Sequence, residues 1–158
     1  MKNICVSLAV AILVSISSIA MAASAPALPK KYSSWQSSIR KIVTDKSSLF
    51  YGIHYIYADK KAMQGYQAGN RFQEGSMIVV DYFNIKNSGD TAIDGTKNMT
   101  VLMRKDKRAK DSGGWLFAGY NADGKPSGLD PVKICFDCHK KDAAQRDYVI
   151  STINDFKR

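Results

Sequence analysis

Histidine and cysteine are both scarce in this 158-residue chain, which has two histidines, His54 and His139, and three cysteines. Cys5 sits in an N-terminal apolar run, while Cys135 and Cys138 stand three apart. No cysteine pair distant in sequence is available to staple the fold once the N-terminal run is removed. A structural zinc site takes four protein ligands, and this inventory supplies them poorly. A strand–helix–strand alternation, the usual setting of a dithiol oxidoreductase, is also missing. So are internal repeats and low-complexity blocks. Acidic residues are few, 14 against 23 lysines and arginines, for a formal charge of +9. In an exported protein that excess argues against nucleic acid as a partner and for anionic partners, envelope surfaces or an acidic cofactor.

Export is what the N-terminus predicts. Lys2 precedes the apolar run "ICVSLAVAILVSISSIA", and Ala20, Met21 and Ala22 form a small-residue cleavage site, so residues 1–22 read as a signal peptide. The competing reading, a retained membrane anchor, needs roughly 20 apolar residues. The serines in the run and the cleavage site favour export to the periplasm, with no membrane span left in the mature chain. Removal of residues 1–22 also removes Cys5.

Residues 23–32 read as a flexible, Pro-containing leader, and residues 33–158 as one domain long enough to bury a core. In "WQSSIRKIVTDK" the apolar residues Trp35, Ile39, Ile42 and Val43 recur at helical spacing after the N-cap candidates Ser33 and Ser34, which predicts an N-terminal helix. "LFYGIHYIYADKKAMQGYQAG" predicts a strand, then a short helix from Ala58 to Gly69. "FQEGSMIVVDYFNIKN" is the clearest strand. Alternation places Met77, Val79, Asp81, Phe83 and Ile85 on one face and Ser76, Ile78, Val80, Tyr82 and Asn84 on the other. "NSGDTAIDGT" reads as a loop, followed by strands at "NMTVLMRKD" and "WLFAGYN" around the basic loop "KRAKDSGG". The expected class is α+β, a mainly antiparallel sheet with an N-terminal helix and a C-terminal helix. "KKDAAQRDYVISTINDF" is read as helical, with Tyr148, Val149, Thr152, Ile153 and Phe156 as its stripe.

The motif "CFDCH" at residues 135–139 carries the chemistry. Cys-x-x-Cys-His is the signature of covalent haem c attachment. Its spacing lets two sulfurs reach the two vinyl groups at one haem edge while the adjacent imidazole turns to the iron. Cys135 and Cys138 are therefore assigned to one covalent haem c, with His139 as the metal ligand. Haem propionates would balance part of the basic charge. No Met or His follows His139, so a sixth ligand has to come from His54, Met63, Met77, Met99 or Met103, or the site is open. Two strong protein ligands go with electron transfer, and an open iron goes with binding or catalysis. The open or weakly occupied site is the favoured reading.

From about Trp35 to Phe156 the chain resembles the cytochrome P-460 and cytochrome c-prime-beta family. The resemblance lies in the order "YGIHYIYAD", "FQEGSMIVVDYF", "VLMRKDKRAKDSGGWLFAGYNADGKP", "CFDCH" and "RDYVIST". It implies an antiparallel β fold, one high-spin haem c, a homodimer, and binding of nitric oxide or a related small molecule. Enzymes of the family oxidise hydroxylamine and carry a lysine-modified porphyrin and a distal carboxylate. Val80 and Asp81 stand where those members are expected to show a Lys-Glu pair, so gas binding is favoured over oxidoreductase activity, with Lys86 and Lys105 as cross-link donors in the alternative. The distal pocket is expected to draw on His54, Phe72, Val80 and Phe83. Asp81 reads as either a base for a hydroxylamine-oxidising enzyme or, since alternation puts it on the face opposite Val80, a solvated residue, and His54 as either a ligand-facing or a surface histidine. The basic loop from Arg104 to Lys110 reads first as a solvated face, with docking of an acidic redox partner by electrostatic steering as the alternative.

Overall fold

The computed structural model describes residues 26–88 and 91–157. Residues 1–22, read from the sequence as a signal peptide, and residues 23–25 of the expected leader lie outside the described residues. Six strands, all antiparallel, form one sheet: β1 (Gln36–Ser37), β2 (Lys41–Val43), β3 (Gly52–Ala58), β4 (Met77–Ser88), β5 (Thr91–Lys105) and β6 (Trp115–Asn121). The order is β1-β3-β4-β5-β6, with β2 pairing β3 beside β1. One helix, α1 (Lys60–Gln67), follows β3, and a second, α2 (Asp137–Ala143), follows a π-helical turn at Pro131–Phe136. Local chemistry sets both starts. The Asp59 carboxylate accepts the Ala62 amide at 2.7 Å, and Asp130 accepts the amides of Val132 and Lys133 just ahead of Pro131, an N-cap followed by proline at the first helical position.

Register gives the sheet two distinct faces, because residues directly opposite on antiparallel strands share a face. On the inner face the rows are Ala58–Ile78–Met103–Phe117, Ile56–Val80–Val101–Gly119 and His54–Tyr82–Met99–Asn121. On the outer face Val79, Leu102, Ala118 and Tyr120 pack with Leu28, Tyr32, Trp35 and Tyr57. The larger core lies on the inner side, where Trp115, Tyr66, Phe72, Phe136, Val149 and Phe156 close together.

Four expectations about the chain path are corrected. The N-terminal helix is absent: residues 32–34 form a single 3-10 turn and residues 36–43 contribute β1 and β2. The open edge of β3 competes for this segment. Ser38 accepts the Ile56 amide through Oγ and donates its own amide to the Ile56 carbonyl, a side-chain and backbone pairing that a helix would forbid. Residues 26–32 do not form a loose leader. Pro26 and Tyr32 are buried, Tyr120 donates its hydroxyl to the Pro26 carbonyl, and Leu28 packs on the outer face. The 87–96 loop is mostly strand, since β4 and β5 stay paired out to Ser88 and Thr91. The tail after His139 is not one helix. It ends at Ala143, passes through a 3-10 turn at Ala144–Arg146, turns left-handed at Asp147 and Tyr148, and re-forms as a 3-10 turn at Ile153–Phe156.

Candidate functional site

Between the inner face of the sheet, α2 and the tail lies a cavity of about 420 Å³, within the range of about 300–1,000 Å³ usual for small-molecule and cofactor sites. The centre of its sheet wall is apolar: Ile56 from β3, Ile78 and Val80 from β4, Val101 and Met103 from β5, and Phe117 from β6, with Lys41, His54 and Tyr82 also contributed by strands. Cys135, Cys138 and His139 all line the same cavity. The π-helical turn delivers Cys135, α2 delivers Cys138 and His139, and Phe136 anchors the segment against Phe117 and Tyr148.

The motif is set up for ligation through one defined nitrogen. His139 Nδ1 lies 2.7 Å from the Tyr148 carbonyl oxygen. A carbonyl only accepts, so Nδ1 carries the proton and Nε2 keeps its lone pair. Burial lowers the pKa of the imidazole, which keeps it in the neutral, metal-binding form at pH 7. Both thiols are free. Burial, helped by Asp130, pushes Cys135 up to about 11, and burial followed by Asp142 raises Cys138. Disulfide oxidoreductases work the other way, depressing a thiol pKa to make a thiolate. Among the described residues no three His, Cys, Asp or Glu side chains come together as a metal-binding group, so the zinc alternative has no ligand set.

A porphyrin with thioether links suits this cavity better than either alternative. Both protonated thiols stand on one wall with an imidazole whose free nitrogen is fixed by its partner, and the facing wall is aliphatic and aromatic.

The expected distal residues separate. His54 and Val80 line the cavity, whereas Phe72 and Phe83 do not. Phe72 is buried between Tyr66 and Trp115, at ring separations of 5.0 and 5.4 Å. Phe83 lies on the outer side of β4, edge-on to Tyr55 at 5.9 Å. Tyr82 takes the place they were given: it lines the cavity, stacks against both Phe50 and His54 at 5.3 Å, and burial raises its phenol pKa. Tyr82, Val101 and Phe117 were not singled out from sequence. Period-two alternation from Val80 reaches Tyr82, but the other two emerge only from the register.

Of the upstream candidates for a sixth ligand, His54 and Met103 line the cavity and Met63, Met77 and Met99 do not. His54 Nδ1 is buried with no hydrogen-bond partner. Burial first, then Lys41, lowers its pKa, so this side chain adds no charge at neutral pH. Lys41 and Asp155, also in the lining, neutralise each other at 2.5 Å.

Asp81 is corrected from solvated to buried. It faces away from the cavity and accepts from Tyr32 at 2.8 Å, Thr100 at 2.7 Å and the Lys97 ammonium at 2.7 Å. Lys86 and Lys105 are also off the cavity, Lys105 being paired with Asp147. Among the described residues no helix is long and apolar enough to cross a membrane.

An antiparallel sheet that backs an apolar cavity, with a Cys-x-x-Cys-His segment as the opposite wall, defines the class: a cytochrome-type protein built on strands rather than on a helical bundle. The family model for cytochrome P460 matches residues 29–151, and the chain belongs to that family. Membership implies a haem cofactor. None of the curated proteins compared with the chain matches it.

Proposed function

We propose that this protein is an exported monohaem c-type cytochrome that binds nitric oxide or a similarly small, uncharged nitrogen species. Cys135 and Cys138 hold the haem through thioethers and His139 ligates it through Nε2. The observation that carries the reading is the Nδ1–H bond from His139 to the Tyr148 carbonyl on the wall of an apolar cavity that both thiols share. Haem supplies an iron centre with a coordination position for a small ligand. The chain's own residues decide what reaches it. Ile56, Ile78, Val80 and Val101 offer no hydrogen bond, so an anion entering the cavity would shed its hydration without compensation. A neutral diatomic has little hydration to lose.

Among the polar side chains of the lining, Lys41 and Asp155 are paired with each other, whereas His54 stands beside Tyr82 with its Nδ1 buried and unpartnered. It is placed to meet a small polar ligand through its ring edge, which is how it enters this reading. Lys86 and Lys105, the donors expected for a lysine-modified enzyme, lie off the cavity, and Lys41, which does line it, is paired with Asp155 at 2.5 Å.

The test is protein made in an export-competent host with haem-maturation machinery. The reading expects haem that stays on the chain under denaturing extraction, a ferrous spectrum of the high-spin type before ligand is added, and a spectral change on titration with nitric oxide. A low-spin six-coordinate ferrous spectrum without added ligand would refute it. Sedimentation of the same sample tests for the homodimer, and exchange with acidic redox proteins tests for a partner at the 104–110 loop.

A further inference from the structure

Asp147 and Tyr148 are consecutive non-glycine residues with left-handed backbones, φ 51° and 61°. Such residues carry a steric penalty that glycine escapes, and they persist where the surroundings enforce them. Here the surroundings are specific. Lys105 Nζ donates to Asp147 Oδ1 at 2.5 Å and the Phe72 amide donates to Oδ2 at 3.3 Å. Trp115, fully buried, donates its indole N–H to the Asp147 carbonyl at 2.8 Å, and the Lys105 ammonium lies 4.9 Å from the Trp115 ring centroid. The Tyr148 amide donates back to Ala143 at 2.9 Å. The result of this bracing is a single outward product: the Tyr148 carbonyl, 2.7 Å from His139 Nδ1.

Neither Lys105, Trp115 nor Asp147 lines the cavity. Their shared effect is on the turn. We infer that Lys105, Trp115 and Asp147 are positioning residues for His139, holding the 147–148 turn so that the imidazole is locked as the Nδ1–H tautomer and its electron donation through Nε2 is set. Outer partners of this kind orient a ligating histidine and raise its basicity. The inference rests on the reading of His139 as the iron ligand. It adds that the β5–β6 end of the sheet, through Lys105 and Trp115, tunes the centre from outside the cavity.

The test uses the haem-loaded protein and three variants, Lys105→Met, Asp147→Asn and Trp115→Phe, with His139→Gly as a separate arm. Resonance Raman reads the ferrous iron–histidine stretch, and redox titration reads the potential. Weakening the Nδ1–H bond removes imidazolate character, so each variant lowers the stretching frequency and raises the potential. Trp115→Phe disturbs a core residue and is scored only if its circular dichroism matches the parent. Lys105→Met keeps the aliphatic stem, and Asp147→Asn keeps a residue tolerant of the left-handed region, so these two decide the outcome. If both fold, carry haem and show the parent frequency and potential, the positioning role is overturned. If His139→Gly leaves the iron–histidine band in place, the ligand assignment itself fails and takes the inference with it. If His139→Gly abolishes the band while the other variants leave it unmoved, the positioning role alone falls.

Discussion

Gly113→Ala, with Gly114→Ala as its control, separates two costs at one turn. Both glycines have left-handed backbones, φ 65° and 79°, so alanine at either position brings a conformational penalty of about 1–2 kcal/mol. Their surroundings differ. A Cβ on Gly114 would have no neighbour nearer than 3.5 Å, the tip of Lys105, whereas a Cβ on Gly113 would stand 2.4 Å from Cε2 and 2.5 Å from Cδ2 of the Tyr148 ring. That ring is packed against Phe136 at 5.3 Å and cannot swing aside as a lysine tip can. Overpacking of this kind adds about 1–3 kcal/mol. Gly114→Ala is therefore expected to cost about 1–2 kcal/mol and Gly113→Ala about 2–5 kcal/mol, read as the shift of the urea midpoint at constant slope. Since the displaced residue is the one whose carbonyl faces His139, Gly113→Ala alone should also alter the spectrum of the haem-loaded protein. Equal losses for the two variants, or a spectral change in Gly114→Ala as large as in Gly113→Ala, would refute the reasoning.

Three further outcomes are expected. Replacing His54 with Phe removes a buried, unpartnered nitrogen and should leave stability at pH 8 unchanged or raised by about 1–2 kcal/mol in thermal unfolding. Because the folded-state pKa of His54 lies below its ordinary value, the unfolded chain takes up the proton first. Stability in the parent then falls as pH drops below about 6.5 towards the folded-state pKa, and His54→Phe should flatten that part of the pH profile; an unchanged profile would show that His54 does not titrate between the two states. Exchanging both Cys135 and Cys138 for Ala should release the haem on acid extraction, whereas either single exchange should leave one thioether visible by mass spectrometry of the haem peptide. Asp81→Ala strips the acceptor from Tyr32, Thr100 and Lys97 on the outer face and should cost about 3 kcal/mol in denaturant unfolding while nitric oxide affinity stays at the parent value.

Much of the sheet was legible because alternation and turn chemistry are local. The strand at Met77–Ser88, the helix after Asp59 and the face assignment from Ser76 to Tyr82 follow from residues a few positions apart. The motif at Cys135–His139 was legible because its three residues lie within five positions, and all three line the cavity. What failed was decided by distant partners. Trp35, Ile39, Ile42 and Val43 have helical spacing, but the edge of β3 offered backbone hydrogen bonds that Ser38 could complete. The tail from Lys140 onward has helical composition and no glycine, but its α-helix ends at Ala143, and the chain turns left-handed at Asp147 and Tyr148, where Trp115 and His139 bond the two carbonyls. Phe83 could have been excluded from the pocket at once, since alternation puts it on the face opposite Val80. Phe72 could not, because its place beside Trp115 depends on the return of β6.

The order of elements along the chain bears on how such a protein matures. From β3 onward each strand pairs with the one before it, so the contacts that build the sheet are short in sequence and can form early and fast. The residues of the aliphatic wall all come from the strands, and the Cys-x-x-Cys-His segment follows all six of them. On the proposed reading, the residues that would carry the haem are among the last parts of the site to emerge in the chain, and the wall they face is built entirely from sequence that precedes them.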